Sequence, residues 1–155
     1  REVEAALEYA AKRGVLIVAA AGNQGAIGSS AITRHPWVIP VVACDLHGKP
    51  LNQSNLGRSI ARQGLRAPGE HIPGLGADGQ YHSFGGTSAA APFVTGTIAL
   101  LWSQFPTVPA AAVKLALTQA AVPQRPTIVP PLLDAQAAYQ ALAQSGSLSQ
   151  RSRRG

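Results

Sequence analysis

The stretch EVEAALEYAAKRGVLIVAAAGN, residues 2–23, decides the fold of this chain. Its first twelve residues place apolar side chains at helical spacing, with glutamates early, Lys12 and Arg13 late, and Gly14 as the stop, so they predict an amphipathic helix. The following VLIVAA is an unbroken apolar run, as in a parallel strand that is buried on both faces. A helix that leads directly into a buried strand predicts an α/β fold.

A second buried strand is predicted at about residues 38–44, within HPWVIPVVACD. Pro40 interrupts this run, which favours a position at a sheet edge or a bulge. The sequence from 45 to 86 is rich in turn-forming residues, and short strands are expected in three places: near residues 60–66, 70–75 and 80–84.

The remainder of the chain predicts three helices. A buried helix runs from Thr87 to about Phe105, a second is opened by Pro109, and a short third one has Asp134 as its N-cap. After Gln144 the sequence is polar and basic, which predicts a disordered tail. We therefore expect one domain at residues 1–144 and a tail at 145–155.

Composition excludes several classes of function. The 155 residues, 46% of them hydrophobic, suffice for one domain with a core. Of the net charge of +6, three charges come from Arg151, Arg153 and Arg154, so no basic surface for nucleic acid is indicated. Cys44 is the only cysteine, expected as a buried thiol, and the longest apolar run is too short to cross a bilayer. No nucleic-acid or membrane partner is expected.

Two other motifs are interpreted as structural. GLGADG, residues 74–79, fits the G-x-G-x-x-G pattern of dinucleotide-binding proteins, but no helical pattern follows it, so a hairpin turn is predicted. The histidines show no metal-ligand spacing and are expected to face solvent: His35, His47, His71 and His82. His82 precedes Ser88 by six residues, too few for an easy approach as its base. No metal site is predicted.

Two segments contain candidate catalytic residues. In AAAGNQG, residues 19–25, Asn23 follows a buried strand and so emerges at the carboxyl edge of the sheet, where α/β proteins bind ligands. In GGTSAAAPF, residues 85–93, two glycines allow close approach of a substrate backbone and Ser88 lies at a helix N-terminus. A serine there is either a nucleophile or a helix cap, and the local sequence leaves both open.

Together these segments resemble the subtilisin-like serine proteases, the subtilases. GTSAAAPFVTG matches the family's G-T-S-x-A-x-P signature, and Ala20 to Asn23 match its A-A-G-N motif. The APG turn at 67–69 and SNLG at 54–57 also match, and the resemblance extends from Glu2 to about Leu142. ITRHPWVIPVVACD, together with SNLG and GGTSAAAPFVTG, resembles the maturation proteases of cyanobactin-type peptides.

The resemblance implies a three-layer subtilisin-like fold, a parallel sheet flanked by helices, and assigns the site. Ser88 corresponds to the nucleophile and Asn23 to the side-chain donor of the oxyanion hole, with the Ser88 N–H as second donor. Residues beside these two are expected to contact the substrate: Ala20, Ala21, Gly22, Gly86 and Thr87. The loop at 57–62 is a further candidate for such contacts.

The chain departs from the family in lacking the D-[ST]-G and H-G-T motifs that carry the catalytic aspartate and histidine. It therefore resembles the C-terminal half of a catalytic domain. We expect a serine endopeptidase whose isolated chain is inactive, with a peptide or protein as substrate and the missing groups supplied by the N-terminal half or a complementing chain. The alternative is an inactive fragment that binds peptides.

No cofactor is expected within this chain, since its carboxylates are not clustered, although calcium is a feature of full subtilase domains. The residues present leave both a cytoplasmic and a secreted location open.

Overall fold

A computed structural model describes residues 2–119 and 127–152, and only the backbone of 146–152. The six helices in this part of the chain are α1 Glu2–Lys12, α2 Ala31–Arg34, α3 Arg58–Gln63, α4 Thr87–Gln104, α5 Ala110–Gln119 and α6 Ala135–Ser152. The five strands are β1 Ile17–Ala20, β2 Val38–Cys44, β3 Leu65–Pro68, β4 Ile72–Leu75 and β5 Tyr81–Phe84.

Strands β1, β2 and β3 form a parallel sheet in that order, with Ile17 opposite Val38 and Val41 opposite Leu65. Every residue of β2 is buried. Alternate residues of β2 face α4 and pack with Val94 and Ile98, while Val42 on the other face packs with Ile60 of α3. Helices thus cover both faces of the sheet, which confirms the predicted α/β class.

Pro40 lies in the central strand, so the predicted edge position was wrong. Successive residues of a strand direct their backbone groups to opposite neighbours. Because the Val41 carbonyl accepts the Ala21 N–H on the β1 side, the missing N–H of Pro40 points towards β3. Since β3 pairs with β2 only from Val41 onward, no hydrogen bond of the ladder is lost.

The strand predicted near 60–66 is a strand only in its second part. Residues 58–63 form α3, which buries Ile60, and β3 begins at Leu65. A short apolar run does not distinguish a buried helix turn from a strand, and the contact of Ile60 with Val42 decides it here. The predicted strands near 70–75 and 80–84 are confirmed as β4 and β5, an antiparallel hairpin closed by the GLGADG turn.

The predicted helices are present, with one difference at the C-terminus. Asp134 caps α6 as expected, since its Oδ1 accepts the Ala137 N–H at 2.8 Å. However, α6 continues to Ser152 instead of ending near Gln144. The one glycine in this extension weakens a helix by only about 1 kcal/mol. Residues 120–126 and 153–155 lie outside the described residues. No helix in the described ranges is long and apolar enough to cross a membrane.

Candidate active site

The two loops that carry the predicted site residues meet at the carboxyl edge of the parallel sheet. One loop follows β1 and contains Gly22 and Asn23, and the other joins β5 to α4 through Gly85 and Gly86. The Asn23 Oδ1 accepts two hydrogen bonds from Thr87, from its backbone N–H at 2.9 Å and its hydroxyl at 3.0 Å. The Thr87 hydroxyl also accepts the Gly22 N–H at 3.2 Å. These bonds join residues that are 64 and 65 positions apart in the sequence.

This arrangement fixes the orientation of the Asn23 amide. Because its oxygen faces two donors of Thr87, its Nδ2 is directed away from them. Among the described residues, the Asn23 Nδ2 has no hydrogen-bond partner. The amide can therefore donate to an anionic oxygen in a bound substrate, which is the role predicted for it.

Ser88 is exposed and is not the cap of its helix. Gly86 is the N-cap of α4, and the first N–H of the helix is satisfied by Asn23 instead of by a cap side chain. Within the described ranges, neither the Oγ nor the backbone N–H of Ser88 has a partner. Of the two roles left open for this serine, the cap is excluded, and its free N–H adds a second donor at the positive end of the helix dipole.

Three glycines allow the loops to approach this closely. Gly22 has φ +107°, and a Cβ there would lie 2.3 Å from the Asn55 Nδ2. Gly86 has φ +82°, and a Cβ there would lie 2.9 Å from the Asn23 Oδ1. A Cβ on Gly69, in the APG turn, would lie 2.7 Å from the Gly86 carbonyl oxygen. The Gly86 N–H in turn donates to the Gly69 carbonyl. Substitution at any of these positions displaces the site.

Asn55, in the SNLG segment, holds the loop of Asn23 in place. Its Oδ1 accepts the N–H groups of Gln24 and Ala26, and its Nδ2 donates to the Ala21 carbonyl at 3.2 Å. Its own N–H donates to the Gly22 carbonyl. The sequence identified SNLG as a family match without giving it a role, because bonds between positions 29 to 34 apart leave no local pattern.

Ala20 and Ala21 lie beside this loop. Ala20 ends β1, and Ala21 is only 7% exposed, in the cluster with Val42 and Ile60. Its N–H and carbonyl are bonded to Val41 and Asn55. The side chain of Ala21 thus belongs to the core. The expected role of these residues as a wall of a substrate pocket stays a prediction.

A mostly apolar cavity of about 700 Å³ opens beside Ser88. The hairpin contributes Ile72 and Phe84 to its lining, and α4 contributes Pro92, Phe93 and Leu100. Phe93 and Leu100 are 40% and 70% exposed. Ser88 therefore lies at the edge of a large unfilled apolar surface.

The described residues offer no base to Ser88. None of the four histidines is hydrogen-bonded to it, and in the described ranges no three potential ligands cluster as a metal site. His82 is instead paired with Asp78, its Nε2 lying 2.9 Å from the carboxylate. The sequence analysis missed this pair, although an aspartate four residues before a histidine across a predicted turn was a usable signal.

Cys44 is not a competing nucleophile. It ends β2, is 1% exposed, and its burial raises the pKa of the thiol. A buried protonated thiol is a poor nucleophile, which agrees with the predicted structural role.

The model of the subtilase family, Peptidase S8, matches residues 1–150. The thermostable alkaline protease of Halalkalibacterium halodurans is 36% identical over 104 residues, 67% of this chain and 28% of that protein. Subtilisin DY of Bacillus licheniformis is 34% identical over 120 residues, 75% of this chain and 43% of that protein. The chain thus spans less than half the length of these relatives.

Solved structures agree with this match. The self-cleaved protease domain of PatA has a TM-score of 0.82 and 35% identity, covering 91% of this chain and 55% of that chain. The prenylagaramide maturation protease PagA has a TM-score of 0.81 and 33% identity, over 90% and 54%. The PatG macrocyclase in complex with peptide has a TM-score of 0.79 and 31% identity, over 90% and 46%. The subtilisin-like fold is therefore shared by these proteins and this chain.

Proposed function

Because the chain belongs to the subtilase family of serine peptidases, we propose that it is the nucleophile-bearing part of an endopeptidase that forms an acyl-enzyme on Ser88. The observation that carries the proposal is the fixed Asn23 amide. Its oxygen is held by Thr87, which leaves its Nδ2 free beside a helix N-terminus whose Ser88 N–H and Oγ are also free. A nucleophile and two oxyanion donors are the components that acyl transfer requires.

In the proposed reaction the Ser88 Oγ attacks the carbonyl carbon of the scissile peptide bond, and its proton passes to a histidine base. The carbonyl oxygen becomes an oxyanion that accepts hydrogen bonds from the Asn23 Nδ2 and the Ser88 N–H. The histidine returns the proton to the leaving amine as the C–N bond breaks. Water, activated by the same base, then hydrolyses the ester on Ser88.

The histidine and its aspartate come, in this proposal, from the N-terminal half of the same domain or from a complementing chain. The described histidines make no hydrogen bond with Ser88. The α4 end of the cavity, at Phe93 and Leu100, leaves an apolar surface on which a base-bearing segment can pack. Without that segment, these 155 residues are expected to be inactive.

The proposed substrate is a peptide or a protein segment cut during maturation. This rests on the similarity to PagA, a prenylagaramide maturation protease, and to the PatG macrocyclase in complex with peptide. The exposed position of Ser88 at the rim of an open cavity suits an extended chain.

Substitution of Asn23 tests the oxyanion role. In the complete protein as the cell makes it, Asn23→Ala should lower kcat about 10²- to 10³-fold with little change in KM, the loss that removal of the oxyanion asparagine causes in subtilisin. Ser88→Ala should abolish the formation of the acyl-enzyme. Steady-state kinetics on a peptide substrate measure both. If Asn23→Ala turned over at the original rate, the oxyanion role would be wrong.

Peptide binding without cleavage is the second candidate. The observation that favours it is the absence of a base near Ser88 in the described residues. It predicts that the protein as the cell makes it binds peptides with an affinity that Ser88→Ala leaves unchanged and releases them uncut, which binding calorimetry and mass spectrometry of the peptide can establish.

A further inference from the structure

The β4–β5 hairpin carries two aromatic rings on the face that borders the Ser88 cavity. Phe84 covers Gly74, where a Cβ would lie 2.9 Å from the ring, and His82 covers Gly76, where a Cβ would lie 2.4 Å from it. The two rings meet edge to face with their centroids 6.5 Å apart. Both rings therefore lie in a row along the hairpin, with Phe84 at the end that lines the cavity.

A negative charge lies beside the outer ring. The Asp78 carboxylate is 2.9 and 3.0 Å from the His82 Nε2, and its Oδ1 also accepts the Gln80 N–H at 3.0 Å. These bonds, that of Gln80 first, lower the pKa of Asp78, so the carboxylate is ionised at neutral pH. Both side chains are about half exposed, at 50% for His82 and 55% for Asp78, so both are accessible to a ligand.

The segment that surrounds Asp78 is acidic, whereas the chain as a whole is basic. Residues 67–113, which supply the cavity lining, contain Glu70 and Asp78 and neither lysine nor arginine, whereas the whole chain has a net charge of +6. Glu70 does not line the Ser88 cavity. It borders a neighbouring cavity that shares Phe84 and Gly85 with it and includes Ser83, whose side chain alternates to the other face of β5. Asp78 is thus the acidic group on the face of the hairpin that continues from Ser88.

The spacing of the rings matches an extended peptide. Residues in a strand rise about 3.3 Å each, so side chains two residues apart share a face about 6.6 Å apart. Residues 20–22, which are expected to contact the substrate, do not line the cavity, and neither does Asn23. The cavity can therefore accommodate residues that follow the scissile bond. A residue just after the scissile bond that contacts Phe84 brings the residue two positions later to the Asp78–His82 pair.

We propose that Asp78 and His82 form a specificity site for a lysine or arginine side chain at the third residue after the scissile bond. The carboxylate supplies the attractive charge, and the imidazole holds it in place and contacts the stem of the basic side chain. This inference rests on the proposed peptidase activity of Ser88 and assigns a substrate class to its leaving side.

Cleavage of a synthetic random peptide library by the complete protein tests this proposal. Sequencing of the new N-termini should give a ratio of basic to acidic residues at the third position about fivefold above that of the library, since an exposed ion pair contributes up to about 1 kcal/mol. Asp78→Asn should return the ratio to that of the library, and His82→Gln should reduce it. Glu70→Gln, which removes the same charge from the other face, should leave it unchanged.

Three results would overturn the proposal. Equal use of basic and acidic residues by the unaltered protein would contradict the specificity site alone, because cleavage would still support the peptidase. If the preference for basic residues survived Asp78→Asn, it would belong to a group other than Asp78. The same would follow if Glu70→Gln reduced the preference as much as Asp78→Asn does. A library left uncut would contradict the proposed function itself, and with it this inference.

Discussion

Thr87 is the residue that joins the two halves of the candidate site. It is fully buried at the first position of α4, and its hydroxyl donates to the Asn23 Oδ1 while it accepts the Gly22 N–H. Neither bond involves a substrate. Thr87 therefore acts as a positioning residue that sets the direction of the Asn23 amide.

Substitution of Thr87 should separate positioning from packing. Thr87→Val keeps the shape and removes the hydroxyl, which leaves the Gly22 N–H without its partner at a cost of about 1–3 kcal/mol in the free energy of unfolding. We expect kcat to fall about tenfold at similar KM, because Asn23 loses one of its two restraints. Thr87→Ser, which retains the hydroxyl, should restore kcat, and failure of serine to do so would show that packing of the methyl group is what matters.

At the residue scale, the sequence supplied candidate site residues, whose catalytic roles stay predictions, but not the interactions that hold them in place. Ser88 and Asn23 were found because they occur within recognisable segments, and the structure brings their loops together. The roles of Thr87 and Asn55 were not predictable, since their side-chain bonds join positions about 30 to 65 apart. The question whether Ser88 caps its helix required the geometry of Gly86 and Asn23.

At the scale of elements, the site depends on the loop between β1 and α2. Backbone groups of residues 21–26 make four bonds to Asn55 and one to the Thr87 hydroxyl, and Gly22 adopts a φ of +107° within this segment. The loop is therefore held by contacts from two other elements and is sensitive to any side chain at Gly22.

Gly22→Ala should destabilise the protein and inactivate it. The new Cβ would lie 2.3 Å from the Asn55 Nδ2, in addition to the strain of the positive φ. Gly14→Ala is the matched control, because Gly14 has φ +69° with no atom within 4 Å of a Cβ. Thermal unfolding should show a loss of about 1–2 kcal/mol for Gly14→Ala and a larger one for Gly22→Ala. Only Gly22→Ala should reduce kcat, and equal activity of the two variants would contradict the account of the loop.

The sequence predicted α1 correctly from its helical periodicity, α4 from its long apolar run, and the buried strands from their short ones. The errors occur where a tertiary contact overrides a local rule. Pro40 occupies a central strand because the missing donor faces a stretch where β3 has not begun, and residues 58–63 are helical because Ile60 packs on Val42. Neither contact is encoded within a short window of sequence.

At the scale of the whole molecule, the described chain exposes apolar surface that a folded domain normally covers. Phe93 and Leu100 border the cavity on α4, and β1 lies at the edge of the sheet with half-buried residues, whereas β2 is fully buried. An exposed parallel edge and an apolar helix face both favour association with another chain.

The isolated 155-residue polypeptide is therefore expected to self-associate. Light scattering coupled to size exclusion should give masses above that of the 16.0 kDa chain. The double variant Phe93→Ser and Leu100→Lys should reduce the association. Leu46→Lys is the control, because Leu46 is 87% exposed in a turn outside the cavity lining. A monodisperse monomer would contradict the view that this surface requires a partner.

The central claim is that Ser88 becomes an activated nucleophile in the complete protein. Its most direct test is reaction of the protein, as the cell makes it, with a fluorophosphonate, followed by peptide mapping in a mass spectrometer. The account predicts one adduct per molecule on the Ser88 Oγ, slowed in Asn23→Ala and absent in Ser88→Ala and in the isolated 155 residues. An unlabelled protein, or an adduct on another serine, would contradict it.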